Sequence, residues 1–387
     1  VLSNLKEHFV SLFGVHEDVK HMSDPHEHYY AMIMAGGGGK RLWPLSRQQT
    51  PKQMLPLVEE RSMFGVSVDR LAPLFPPERI LVVTGKDYVA RLHADAPSIP
   101  AENFIVEPSA KDSGPAAALG LTVIQQRDPQ AVVAILTADH HIAQEEAFRN
   151  VLVAASAIAR EQGFVVTLGI SPSFPATGFG YIQRGNHLGE QRDFDYYHSL
   201  GFTEKPRADV AIQYLRSGQY SWNSGMFIWT VERAMREFER QQPTMHAQLC
   251  KLAAVIDTPA YQDTLNEVWA EIDKISLDYA VMEQAESMVV IPIDIGWNDI
   301  GSWGALYDIL QRDPSGNRVR GENADNSIRI DTQETLVLSN KMVVTIGIRD
   351  VVVVETDDAI LICHKDRTQE VKHAVSEMKA KHLSQYL

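Results

Sequence analysis

Four consecutive glycines, Gly36 to Gly39, follow directly on the apolar run Met32 to Ala35, and this junction constrains the fold more than any other stretch of the chain. The run reads as the end of a buried strand, and the glycines leave a bare backbone that can lie against a ligand. Four cations, Lys40, Arg41, Arg47 and Lys52, come within the next thirteen positions. The chain is otherwise acidic, with 36 basic against 50 acidic residues and a formal charge of -14. A phosphate chain fits such a basic cradle best.

Two common phosphate loops are excluded by residue identity. A Walker A loop needs glycine where Met34 stands and Ser or Thr where Arg41 stands. A dinucleotide fingerprint needs its third glycine at Arg41 or Leu42. What remains is a cradle of another kind or a glycine-rich surface turn.

The acidic total disfavours nucleic acid and anionic membrane as partners. Length, 387 residues, and an apolar share of 44% suffice for a large core and a smaller one, so two domains are expected. Cys250 and Cys363 stand far apart without metal spacing, which suits a reducing cytoplasm and no disulfide. No apolar run approaches the roughly 18 to 20 residues of a membrane span. The chain begins without Met, and His21-Met22 resembles an expression junction, so residues 1–28 read as a tail, with a short helix from Asn4 to Phe13.

Downstream, strand-like runs alternate with amphipathic segments. Arg79 to Thr84, Phe104 to Val106, Ala131 to Leu136, Phe164 to Leu168 and Met288 to Ile291 have the length of buried strands; Gly114 to Gln126 and Glu145 to Gln162 read as helices. The pattern predicts an α/β fold: a mixed, mostly parallel sheet flanked by helices, with ligands at the carboxyl ends of the strands. Val231, Met235 and Phe238 share one helical face, and Met245, Leu249, Leu252 and Ile256 another. Ser276 is placed to cap a helix from Leu277 to Gln284, with Asp278 in its first turn. Beyond about Asp313 short strands recur at roughly eight-residue spacing: Ser327 to Ile330, Thr335 to Leu338, Val343 to Ile346, Val351 to Glu355 and Ala359 to Cys363. They predict a small all-β domain over 313–387, closed by a helix from Thr368 to about Leu383, after a catalytic domain over 29–312. Periodicity does not distinguish a β-helix from a small barrel or roll.

Two acids stand where a hard cation could be held. Asp139, just past the Ala131 to Leu136 strand, reads either as a metal ligand or as a helix N-cap; the neighbouring His140 and His141 read as structural. Asp299, bracketed by Gly296, Trp297, Gly301 and Trp303, reads as a fixed carboxylate or as an Asx turn. At ~4 Å two carboxylates repel by about 4 kcal/mol at an effective dielectric of 20, so they converge only around a cation or a proton.

The string Ala35 to Arg47, with Pro51-Lys52-Gln53, resembles the signature of the sugar-1-phosphate nucleotidylyltransferases. Its Leu42-Trp43-Pro44-Leu45-Ser46-Arg47 portion is similar to the mannose-1-phosphate guanylyltransferases in particular. The resemblance implies a Rossmann-like nucleotidyltransferase fold with a left-handed β-helix-like C-terminal domain. It implies transfer of GMP from GTP to α-D-mannose 1-phosphate, giving GDP-mannose and pyrophosphate, by a cytoplasmic homodimer using Mg2+. Ala35, Gly36, Gly37 and Gly39 would lie along the nucleotide, Arg41 and Lys52 on its phosphates, and Asp139 with Asp299 on the Mg2+.

Phe202-Thr203-Glu204-Lys205-Pro206 resembles the family's Phe-x-Glu-Lys-Pro, implying Glu204 on sugar hydroxyls and Lys205 on the sugar phosphate, although adjacent residues in a strand face opposite sides. Asn223, in Trp222 to Phe227, matches a sugar-binding element, and Gly178, in Thr177 to Tyr181, a loop that closes on the sugar. The stretch Glu107 to Pro115 takes the place of the base-reading segment, with Glu107, Asp112 and Ser113 as nucleotide contacts. Many guanylyltransferases have Asn-Thr-Ala where Asp112-Ser113-Gly114 stands, and which residue reads the base is open. Another sugar phosphate or nucleotide, or a non-catalytic regulatory homologue, are the alternatives.

Overall fold

The computed structural model describes residues 27–37 and 40–387, the side chain of Lys40 excepted. The helix expected at Asn4 to Phe13 and Gly39 of the cradle lie outside the described residues.

Successive residues of a strand face opposite sides, and here both sides are buried. In β1 (Tyr29–Met34), Ala31 and Ile33 enter one apolar layer and Met32 the other. The same alternation runs through β2 (Ile80–Gly85), β3 (Phe104–Glu107) and β4 (Val132–Thr137). The chain continues through β5 (His141–Ile142), β6 (Val165–Ile170), β7 (Tyr181–Gln191), β8 (Phe194–Thr203), β9 (Tyr220–Thr230), β10 (Met288–Ile293) and β11 (Trp297–Asn298). Nine of these form one sheet of order β3-β2-β1-β4-β9-β6-β10-β8-β7. Pairing is parallel from β3 to β4 and between β6 and β10, while β9 runs antiparallel between β4 and β6.

Helix Glu145–Gln162 covers the Ala31 side; Ser113–Arg127, Val231–Gln241, Pro243–Ala253 and Tyr261–Glu271 cover the Met32 side. A Cβ at Gly120 would strike Met32 and Val83, so glycine sets how closely the first of these approaches the sheet.

After residue 312 the strands leave this sheet. β12 (Arg318–Arg320), β13 (Ile328–Ile330), β14 (Leu336–Leu338), β15 (Val344–Ile346), β16 (Val351–Glu355) and β17 (Ile360–His364) form two small sheets, of order β12-β14-β16-β17 and β13-β15, followed by helix Val371–Ala380. The parallel pairing of β12, β14 and β16, and of β13 with β15, has the coil-by-coil repeat of a β-helix. These coils pack against the loops after β1 and β11 through one apolar cluster joining Leu42, Leu55 and Leu57, Ile300, Trp303 and Leu306, and Leu336, Leu338, Val352 and Val354.

The expected strands, and the helices over 114–126 and 145–162, are present within about two residues at each end. The helix expected from Leu277 to Gln284 instead ends at Ala280 and gives way to a 3-10 turn over Met282–Gln284. That expected from Thr368 to Leu383 is helical only over Val371–Ala380, and Ile256 lies beyond the end of Pro243–Ala253. The pattern missed β7, β8 and β9, and the short β5, β11 and β12. In β7 and β8 most side chains past the first turn are exposed or half-exposed, so no apolar face marks them. In β9 the Asn223-Ser224-Gly225 interruption hides an otherwise buried strand.

Candidate active site

The cradle begins where β1 ends. Ala35 is fully buried: its amide donates to Val83 O at 2.9 Å, and its carbonyl accepts from Gln53 Nε2 at 3.1 Å and Thr84 Oγ1 at 3.0 Å. Ala35 is thereby an anchor, and the exposed Gly36 and Gly37 beyond it, the latter at φ 103°, form the open lip.

Arg41, Lys52, Asp139 and Asp299 line one cleft of about 280 Å³, together with His140. Two two-residue strands bring the carboxylates there. β5 and β11 pair through Ile142 with Trp297 and His141 with Asn298, so the loop carrying Asp139 lies beside the loop carrying Asp299. The helix that follows Asp139 begins at Glu145 with Gln144 before it, so Asp139 is not its N-cap. Asp299 does form an Asx turn: Oδ1 accepts from Gly301 N at 3.0 Å, and a Cβ at Gly301 would fall 2.5 Å from Oδ2. The turn fixes the carboxylate beside the cleft. Trp303, buried, donates to Trp43 O at 2.9 Å, and Trp297 Nε1 donates to His140 Nδ1 at 3.1 Å. The two tryptophans thus tie the acidic loop to the signature loop and to its partner.

A cation of the protein's own links the two acidic loops. Lys52 Nζ donates to Asp139 Oδ2 at 2.9 Å and also to the backbone carbonyl of Asp299, with 7% of its side chain exposed. Burial pushes the Asp139 carboxyl up, but Lys52, with His140, more than offsets it and holds the group below the usual carboxylate range. Burial, reinforced by Lys52 and Arg70, pushes His140 down to about 4, so the ring is neutral near pH 7. Arg41 Nη1 lies 3.4 Å from Gln369 Oε1 of the C-terminal region. Arg47 turns away from the cradle: it donates to Asp358 Oδ1 at 2.6 Å and Oδ2 at 3.0 Å, so its charge is committed to a carboxylate.

A second cleft, of about 520 Å³, is lined by Asp112, Ser113, Glu204, Lys205, Ser276 and Asp278 among others. Glu204 and Lys205 lie beyond the end of β8, and Lys205 takes φ 48°, so the alternation expected of a strand does not apply. Their charged groups pair with each other, with 10% of the Glu204 side chain and 62% of the Lys205 side chain exposed. A Cβ at Gly180 would fall 2.5 Å from Glu204 Oε2 and 3.3 Å from Asn223 Cβ, and Gly180 O accepts from Asn223 N at 2.8 Å. Gly180 is where these two side chains meet, a role the motif reading did not give it. Gly178 is exposed, with open space around it.

On the base-reading segment, Asp112 takes φ 73° and accepts from Ser113 N at 2.9 Å, and Ser113 Oγ accepts from Leu277 N at 2.9 Å. Both line the second cleft, on the Glu204 side. Among the described residues Glu107 Oε2 is buried without a partner, and Oε1 lies 3.9 Å from where a Gly36 Cβ would stand. Burial pushes this carboxyl up to about 7.

Residues 30–316 match the family model described as "Nucleotidyl transferase", and residues 325–378 that of the "MannoseP isomerase/GMP-like beta-helix domain". The Xanthan biosynthesis protein XanB of Xanthomonas campestris pv. campestris is 37% identical over 90% of this chain and 73% of its own. Mannose-1-phosphate guanylyltransferase of Escherichia coli K12 is 34% identical over 91% of this chain and 73% of its own. The chain belongs to the mannose-1-phosphate guanylyltransferase family of nucleotidyl transferases. A crystal structure described as mannose-1-phosphate geranyltransferase from Thermus thermophilus superposes with a TM-score of 0.80 at 36% identity, over 91% of this chain and 99% of that one.

Set in this nucleotidyl transferase frame, the residues that sequence reasoning passed over are the supports. Gln53 holds the strand end under the cradle, and Gly180 seats Glu204 against Asn223. Trp222, Phe179, Trp297 and His140 form a ring-to-ring chain with centroids 5.1, 5.4 and 5.2 Å apart, running from the Asn223 strand to the Asp139 loop. Aromatics near the motifs were visible in the sequence; their mutual contacts were not.

Proposed function

We propose that this chain transfers GMP from GTP to α-D-mannose 1-phosphate, releasing pyrophosphate and forming GDP-mannose. The observation that carries the proposal is the meeting of Arg41, Lys52, Asp139 and Asp299 on one cleft beside a bare-backbone cradle. Family membership supports it, as do the relatives bearing the guanylyltransferase name.

The mannose 1-phosphate oxygen attacks the α-phosphorus of GTP, and the bond to the β-phosphate oxygen breaks in line. The nucleophile is already an anion, so no side chain need supply one; the protein's task is positioning and charge compensation. Arg41 and Lys52 take the nucleotide phosphates, Lys205 the phosphate of the sugar substrate, and Glu204 and Asn223 its hydroxyls. Glu107 offers a buried oxygen that can accept from guanine N1 and N2 hydrogens, whereas Asp112 is turned to its own helix start. Among the described residues no three His, Cys, Asp or Glu side chains cluster as metal ligands. Two carboxylates on one cleft do fit Mg2+, a hard cation that completes its shell with phosphate oxygens and water. Asp139 and Asp299 would hold it, and it supplies charge stabilisation at the phosphates.

We also place the transfer chemistry in a domain over 29–312 and the β-helix in 313–387, and the protein in the cytoplasm as a homodimer. The exposed Ile328, Ile330, Val344 and Ile346 of the β13-β15 sheet support a pairing face. Among the described residues no helix is long and apolar enough to cross a membrane.

The test offers each of the four nucleoside triphosphates with mannose 1-phosphate or glucose 1-phosphate and Mg2+, and measures pyrophosphate. Release from GTP with mannose 1-phosphate is expected; release with glucose 1-phosphate alone overturns the sugar assignment.

A further inference from the structure

We propose that Asp278 is a hydroxyl acceptor for the sugar and, together with Glu204, sets which hexose 1-phosphate the second cleft takes. This rests on the reading of the chain as an enzyme of sugar phosphates, and assigns a residue that the motifs leave as an acid in the first turn of a helix.

The position of Asp278 is built with little slack. It lies in the first turn of helix Leu277–Ala280, whose N-cap Ser276 accepts from Tyr279 N. The segment leading in is laced to the start of helix Ser113–Arg127: Gly114 N donates to Ile275 O at 3.0 Å, Ile275 N to Lys111 O at 3.2 Å, and Leu277 N to Ser113 Oγ at 2.9 Å. A Cβ at Gly114 would fall 2.7 Å from Ile275 O, so only glycine permits the approach. Asp112 and Ser113 thereby act as supports that hold Asp278 to the cleft.

The carboxylate then meets the sugar-facing amide. Asn223 Oδ1 accepts from Gly225 N at 3.0 Å, and Asn223 Nδ2 donates to Asp278 Oδ1 at 2.8 Å. The amide is oriented at both ends, and among the described residues one Nδ2 hydrogen is left to offer. Asp278 and Glu204 line the same cleft, and burial followed by the Glu204 charge pushes the Asp278 carboxyl up to about 6. Lys205 pairs with Glu204 here. When Lys205 turns to the sugar's phosphate, two neighbouring carboxylates are left facing the cleft without that cation. A polyol is the neutral partner that such a pair fits, since each hydroxyl donates one hydrogen and carries no charge. A polyanionic ligand would be repelled from this end, which orients the sugar with its phosphate toward Lys205.

The experiment compares wild type with Asp278→Ala and Asp278→Leu, using GTP with mannose 1-phosphate and with its 2-, 3- and 4-deoxy analogues. For Asp278→Ala the KM of mannose 1-phosphate is expected to rise about 10- to 100-fold, the loss of one charged hydrogen bond, with the KM of GTP unchanged. One deoxy analogue should be penalised in wild type yet serve the variant as well as mannose 1-phosphate does. A variant that keeps the wild-type ranking of the analogues, or loses all four substrates alike, overturns the proposal. Thermal unfolding checks the fold, and if the alanine variant fails to fold, Asp278→Leu, close to aspartate in shape and without an acceptor, is read by the same ranking. Calorimetric titration of the same sugars separates the two readings. Binding without turnover sinks the proposed reaction while the analogue ranking still tests Asp278; no binding to wild type sinks both.

Discussion

The Lys52 ammonium lies 2.9 Å from Asp139 Oδ2 while also touching the backbone carbonyl of Asp299. One buried lysine therefore links both acidic loops of the cleft and compensates charge there. Lys52→Met keeps the apolar stem and removes the ammonium. Its kcat/KM for pyrophosphate release from GTP and mannose 1-phosphate should fall by about 100-fold or more, the range for losing one electrostatic contact to the reacting phosphates. Activity within threefold of wild type would show that the lysine serves the fold alone.

Asp139→Asn and Asp299→Asn should each abolish turnover while circular dichroism and thermal unfolding remain those of a folded chain. The Asp299 variant retains an acceptor oxygen for Gly301 N, so its turn should persist. Chelation with EDTA should stop wild-type turnover and Mg2+ should restore it. Full activity in either variant removes that residue from the ion site.

The buried Glu107 carboxyl makes the ligand-free protein's stability depend on pH. Its pKa is raised from 4.5 to about 7, so the folded state keeps a proton that the unfolded chain has lost. The unfolded state then binds fewer protons, and stability falls as pH rises from about 4.5 through 7. Glu107→Gln mimics the protonated form. Its Tm should match wild type at pH 4 and exceed it by about 2 to 4 °C at pH 8. A pH-independent difference would contradict a buried, protonated carboxyl. The same variant should raise the KM of GTP without changing that of the sugar phosphate.

Gly180→Ala should disturb the sugar end selectively, because the new methyl would strike Glu204 and Asn223. The KM of mannose 1-phosphate is expected to rise about tenfold or more, the cost of displacing one or two polar contacts, with the KM of GTP within twofold of wild type. Equal effects on both substrates would place the damage in the sheet instead.

The positions of these residues were legible to different degrees. Asp139 and Asp299 each follow a recognisable apolar strand with turn residues around them, so both were candidates from the sequence. Their convergence depends on β5 and β11, two residues apiece, too short to leave a periodic signal. Lys52 was legible as a cation near phosphates, but its partners lie 87 and 247 positions away. Arg47 looked like a fourth cradle cation and instead holds Asp358, because a nearby carboxylate in space outweighs proximity in sequence. Asp278 showed only its local role at a helix start; its bond to Asn223 spans 55 positions.

The apolar cluster that unites Leu42, Ile300 and Leu336 bears on how such enzymes can be recombined. Trp43 Nε1 also donates to Tyr386 O at 2.7 Å, so the signature loop is fastened to the last turns of the chain as well as to the coils. A chimera that swaps in another protein's β-helix would therefore inherit a new foundation under Arg41. Grafts should succeed only when the aliphatic face that abuts Leu42 and Trp303 is transplanted in matching shape.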